Sequence, residues 1–305
     1  MRAMVWTGAT MDLGNLHEYW RMVAQEFKAL EALPSLHEGR ILSARAFDES
    51  QVAGPRAYMG AERYLNVARD NHEALLALLE HHGATLWAPW SLLRPTFETS
   101  FLAAWILDPE DGRERRARGL RCEILDYNEQ RNHRAAFKVL PEVRKLIEEN
   151  ERESEHGSLK TYKQEAAKLG WSFDKLRRKI NTTDELRKLS FAREQREFTA
   201  FLEATWRLLS GFEHGLGWAL LSGADRTIQA HIPGGVNLEL VINDEQFVNA
   251  AKTTYFLLLS ACRVFKRRHL EPSQPMRSTH QPRGSVPRTG ARSRTAAKPT
   301  TNAAR

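Results

Sequence analysis

The sequence predicts an all-α, multi-helix bundle decorated by one small β-hairpin. Three observations carry this. Apolar residues recur every three or four positions over several long stretches, the spacing of a helix with one buried face. Strict alternation occurs at a single place, on either side of Pro233-Gly234-Gly235. Pro34, Gly83 and the Asp108-Pro109 step fall where periodic stretches end, as helix stops should.

Taken in order, residues 12–33 place Leu16, Tyr19, Trp20, Val23, Phe27 and Leu30 on one side of a first helix that stops at Pro34. Residues 34–55 are weakly patterned and read as a loop. The stretch 57–82 is amphipathic and closes on Gly83, with His81 and His82 in its last turn, where the helix dipole favours cations. Residues 91–107 are apolar on nearly all sides through Leu92, Leu93, Phe97, Phe101, Leu102, Trp105 and Ile106. Such a helix belongs at the centre of a bundle. Residues 113–155 are charge-rich, with a seam through Leu120, Ile124 and Tyr127 that resumes at Val143 and Ile147 after Pro141, and belong on the outside.

Residues 158–180 read as two short helical pieces around Gly170. Thr182 and Thr183 then precede Asp184-Glu185, a cap and an acidic first turn. The helix expected to follow carries Phe198, Leu202, Leu209, Phe212 and Leu216 on its apolar side. Residues 227–232 and 236–242 form the hairpin, and 244–268 the last helix, apolar at Phe247, Tyr255, Leu258, Cys262 and Phe265. The organisation is therefore an N-terminal helix and loop (1–56), a helical bundle (57–268) containing a basic connection (158–181) and the hairpin (227–242), and a tail (269–305).

The formal charge of +7 suggests a nucleic-acid partner until it is divided along the chain. Residues 271–305 hold seven basic and one acidic residue, whereas the first 270 hold 38 and 37. That tail has five prolines and no large aromatic residue, so it cannot bury enough surface to offset its ordering entropy and reads as disordered. No secretory leader or apolar run of membrane-spanning length stands out, so no membrane partner and a cytoplasmic location are expected. Cys122 and Cys262 are the only cysteines, too few for a disulfide framework. Glu153-Ser-Glu-His156 has no second copy, no Gly-rich phosphate loop occurs, and neither a metal nor a cofactor is expected.

One spacing suggests chemistry. Arg207 and His214 stand seven residues apart in a strongly helical stretch, so on one continuous helix they share a face about 10.5 Å apart along the axis. Glu203, Arg207, Ser210 and His214, at steps of four, three and four, form a polar line. Gly211 and Gly215 beside it cost about 1 kcal/mol each in a helix, which close approach of another helix would offset. In the plainer alternative Arg207 pairs with Glu203, and His214 bonds Ser210 or a loop carbonyl.

The bundle, the Arg-x6-His spacing late in it and the Arg94-Pro-Thr-Phe-Glu98 helix resemble the HEPN superfamily. A polar residue commonly follows the family's Arg, and Leu208 stands there in this chain. The resemblance implies a dimeric, metal-independent endoribonuclease or RNA-binding protein of toxin or phage-defence systems. In it His214 would take the 2′-hydroxyl proton and Arg207 would stabilise charge on the phosphorane. One helix cannot close the gap between them, so an antiparallel homodimer is implied. Glu98 would orient His214, or else pair with Arg94 at i−4.

Two rival functions remain open. One is a non-catalytic helical interaction protein. The other is a DNA-binding regulator, because residues 160–180 are similar to a helix-turn-helix around Gly170. Ser158–Ile180 has seven basic and two acidic residues, and Lys160, Lys163, Lys175, Arg177 and Arg178 with Tyr162, Trp171 and Phe173 could hold phosphates and stack bases.

Overall fold

In the computed structural model, residues 13, 16–36, 43–193 and 195–272 are described, and the account below concerns them. Residues 273–305 of the tail expected to be disordered and the side chains of residues 154–156 lie outside them. The elements run α1 (Leu16–Glu31), α2 (Ala44–Glu49), α3 (Gly54–His82), α4 (Ala88–Leu107), α5 (Gly112–Ala136), α6 (Pro141–Ser154), α7 (Lys160–Lys168), α8 (Phe173–Leu176), α9 (Thr182–Leu186), α10 (Ser190–Arg193), α11 (Arg196–Glu213), α12 (Gly217–Ser222), β1 (Ala224–Ile232), β2 (Gly235–Ile242) and α13 (Asp244–Leu270). An all-α bundle with one antiparallel hairpin results, as the sequence predicted.

Helix α4 is the axis. Its Trp90, Leu93, Phe97, Phe101, Trp105 and Ile106 are buried, and α3, α11 and α13 pack around them. Leu16, Val23 and Phe27 place α1 in the same core against α13. Trp90 stacks on Phe212 of α11 at 4.4 Å and meets Phe247 of α13 edge-on at 5.3 Å, the offset and T-shaped geometries that ring quadrupoles favour. A smaller core lies outside this one, where Leu120, Ile124 and Tyr127 of α5 meet Tyr162, Ala166, Leu169 and Leu176. Helix α5 reaches the main body through Gly119, where any Cβ would strike the Ala57 backbone of α3.

Buried polar residues join these layers. Arg268 of α13, 6% exposed, donates to the carbonyl oxygens of Leu107, Asp108 and Pro109 at 2.9–3.1 Å and so satisfies the orphan acceptors at the end of α4. Its guanidinium also binds Glu110 at 2.7 Å, which holds that carboxyl below the ordinary carboxylate range. Asp48 of α2 is fully buried; its Oδ2 accepts from Tyr58 Oη and Arg115 Nε, each at 2.7 Å.

Several boundaries differ from expectation. The supposed loop 34–55 contains α2, capped by the Ser43 hydroxyl. Helix α4 begins before Pro89 and continues through Pro95. The cap of α9 is Asn181 rather than Thr182 or Thr183, and what reads as one helix from 184 to 216 is three. Asp108 causes one of the breaks by accepting from the Ser190 amide at 3.0 Å, which fixes a new helix start. Helix α13 extends to Leu270, so residues 269 and 270 belong to it, and Pro272 bridges back to Ser43.

Candidate nucleic-acid interface

The polar line on α11 does not form as a set. The helix ends at Glu213, and His214 is its C-terminal cap residue, exposed to solvent. Gly215 follows at φ +63°, its amide bonding Phe212 O while the Leu216 amide bonds Gly211 O, the 6→1 and 5→2 pattern that terminates helices. Leu216, expected on the apolar side, lies beyond the helix and is 44% exposed. Glu203 turns away from Arg207 to a bidentate pair with Arg187, whose hydrogen bond holds the carboxyl below its ordinary value. Ser210 is half-buried, and Arg207 is exposed. Neither the Arg207 nor the His214 side chain has a hydrogen bond or ion pair among the described residues, so the plainer side-chain pairing does not form either; His214 bonds Ser210 only through its backbone amide, at 3.2 Å.

The glycines mark something other than a subunit contact. A Cβ on Gly211 would lie 2.5 Å from Ala219 Cβ and 2.9 Å from Trp218 Cζ2, so the close approach is to α12 of the same chain. Gly215 has open space around it and serves the positive φ. The glycines therefore give no reason to place a partner helix on α11. Gly211→Leu is expected to destabilise the fold by about 1–3 kcal/mol by overfilling the α11/α12 contact while leaving oligomeric state unchanged. Thermal unfolding and light scattering of that variant check both halves.

Glu98 takes the plain partner. Arg94 Nη2 donates to its Oε2 at 3.2 Å, and the Glu98 side chain is 41% exposed rather than buried. The Arg94 guanidinium lies 4.2 Å from the Trp206 ring centroid, sandwiched between α4 and α11. Glu98 therefore steadies a structural arginine and has no contact with His214.

The basic connection is different in kind. Helix α7, the turn at Gly170 and α8 expose Lys160, Lys163, Lys168, Lys175, Arg177, Arg178 and Lys179. None of these seven forms an ion pair among the described residues, in contrast to Arg56, Arg69, Arg115 and Arg187, which do. Of the two acids in the stretch, Glu165 is taken by Arg56 at 2.9 Å. Three of the cations sit over aromatic rings instead. Lys175 Nζ lies 4.8 Å from the Trp171 ring, and Lys163 and Arg177 each lie 5.8 Å from the Phe173 ring. Both rings stay half-buried, open enough to share a face with a ligand. Tyr162, expected among the stacking residues, is 8% exposed and packs into the small core.

Two concavities flank α8. One, of about 290 Å³, is lined by Trp105, Trp171, Lys175 and Arg121 together with two ion pairs, Arg118 with Glu114 and Lys188 with Glu185. The other, of about 550 Å³, is lined by Asn128, Arg131, Asn132, Lys138, Asp174, Arg177 and Arg178 among others. Arg121 was not singled out from sequence. It donates to the Arg178 and Lys179 carbonyls at 3.0 and 3.1 Å and fixes the loop that carries those cations. The signal available was its position one residue after the buried Leu120, at the edge of the α5 seam. Helix α8 is four residues long, one turn, which leaves no recognition helix to enter a major groove. The helix-turn-helix reading is corrected accordingly.

Among the described residues no group of three or more His, Cys, Asp or Glu is placed to hold a metal ion, and no helix is long and apolar enough to cross a membrane. No family model, curated protein or solved structure matches this chain.

Proposed function

We propose that the protein binds single-stranded RNA on the face formed by α7, α8 and the adjoining side of α5. The observation that carries this reading is the set of seven exposed cations with no ion pair among the described residues, three of which lie over the half-buried Trp171 and Phe173. Phosphates need cations that are not already neutralised, and unstacked bases need ring faces; a single strand presents both, whereas a duplex hides its bases. If Lys160, Lys163, Lys175, Arg177 and Arg178 each contact one phosphate, affinity should fall about 100-fold between about 50 and 200 mM salt, from a slope of about −0.7 per contact. Anisotropy titrations with labelled single-stranded RNA and duplex DNA test this. Preference for the single strand with that salt dependence is expected; equal binding to both, or no binding, sinks the reading.

A ribonuclease of HEPN type is the second reading, favoured by Arg207 and His214 being exposed with no partner among the described residues. It requires a second copy to bring the pair together. Growth arrest or phage defence in the cytoplasm would be its setting. Cleavage of RNA by the parent and not by His214→Ala supports it.

A further inference from the structure

The hairpin is the surface that the RNA reading leaves unused. Every residue of β1 after Ala224 is exposed, and on β2 Val236 and Val241 are 43% and 47% exposed. An isolated two-stranded hairpin is marginal in water, so one with both edges open is suited to accept a further strand. Its two edges are not equivalent. β1 carries an irregularity between Ile228 and Ala230 that leaves Gln229 outside the register, and a bulge of that kind bends an edge away from further pairing. β2 is regular from Gly235 to Ile242.

The sequence of β2 is also complementary to itself. In Val236-Asn237-Leu238-Glu239-Leu240 apolar and polar residues alternate symmetrically about Leu238. An antiparallel copy centred there sets Leu238 against Leu238, Val236 against Leu240 and Asn237 against Glu239. Each apolar side chain meets another, and the one carboxylate meets an amide that can donate to it instead of a second carboxylate. Ile228 lies opposite Leu238 within the chain and extends the apolar row at the axis, whereas Arg226 and His231 flank it opposite Leu240 and Val236.

We propose that β2 pairs antiparallel with β2 of a second copy of this chain, centred on Leu238, joining two hairpins into a four-stranded sheet about a two-fold axis. Light scattering on the full chain should then give the mass of a dimer. Leu238→Lys sets two ammonium groups against each other at the axis and should halve that mass while the helical circular dichroism of the bundle stays unchanged. Leu238→Cys should cross-link under mild oxidation, because directly opposed Cα atoms in such a ladder are about 4.5–5.5 Å apart, within disulfide reach. Val241→Cys, set against Gly235 of the other copy, should not. Cys122 and Cys262 are buried and do not compete. A monomeric parent, a Leu238→Lys protein that remains dimeric, or cross-linking of Val241→Cys as fast as Leu238→Cys would overturn the proposal. None of these outcomes touches the RNA reading, whose cations lie on other elements.

Discussion

Arg115→Ala is expected to cost about 3–5 kcal/mol of folding free energy, the loss typical of a buried ion pair stripped of one partner. Arg115 is 1% exposed, and its Nε binds Asp48 Oδ2 at 2.7 Å while Nη1 binds the carbonyls of Pro109 and Glu110 at 2.7 and 2.8 Å. Removing it leaves the Asp48 carboxylate buried with only the Tyr58 hydroxyl and strips two carbonyls of the α4–α5 turn of a donor. Arg115→Lys keeps the charge but cannot reach all three acceptors, so an intermediate loss is expected. Chemical denaturation of the two variants checks the order, and an Arg115→Ala protein within about 1 kcal/mol of the parent contradicts the role given to this network.

Acid should destabilise the fold through His72. The imidazole is 4% exposed between α3 and α13, with Nδ1 3.2 Å from Tyr255 Oη, and burial pulls it down to about 4. The unfolded chain takes up a proton near its ordinary value of about 6.5, while the folded chain refuses it until about 4. Stability from this group is therefore intact above the unfolded value, is lost as pH falls through that window, and is about 3 kcal/mol lower below it. His72→Gln keeps a polar partner for Tyr255 and removes the titration. The stability gap between parent and variant should move by about 3 kcal/mol in favour of the variant on going from about pH 7 to below about pH 4. A gap that does not change with pH refutes the assignment.

What the sequence disclosed and what it hid have physical causes. Helices α3 and α13 were legible because their apolar residues keep one period over twenty or more positions, and α4 because it is apolar on nearly all sides, with Gly83, Asp108-Pro109 and the tail as their ends. Helix α2 is six residues long, too short for a period to show, and only Ser43 before it hinted at a start. The stretch 182–210 runs on without Gly or Pro, so its breaks come from tertiary partners such as Asp108, which lies 82 residues from Ser190. The Asp48–Arg115 pair spans 67 residues, and nothing in Arg113-Glu-Arg-Arg-Ala-Arg marks which arginine turns inward. Gly215 was misread as a helix-interior glycine. A glycine soon followed by Gly217 is better taken as a stop, and that moves His214 off the shared face. The cations of 158–180 were legible from composition alone, but their lack of acidic partners depends on Arg56 claiming Glu165 from 109 residues away.

The central claim is that this cation cluster holds RNA. Lys175 and Arg177 are exposed and unpaired among the described residues, so Lys175→Glu/Arg177→Glu should fold as the parent does and leave every other basic group, the tail included, in place. Anisotropy titration of labelled single-stranded RNA against parent and double variant, across a salt series, is the most direct measurement. The account predicts at least about a 10-fold loss of affinity and a salt slope shallower by about 1.4, from two lost phosphate contacts. Unchanged affinity and slope in the double variant would contradict it.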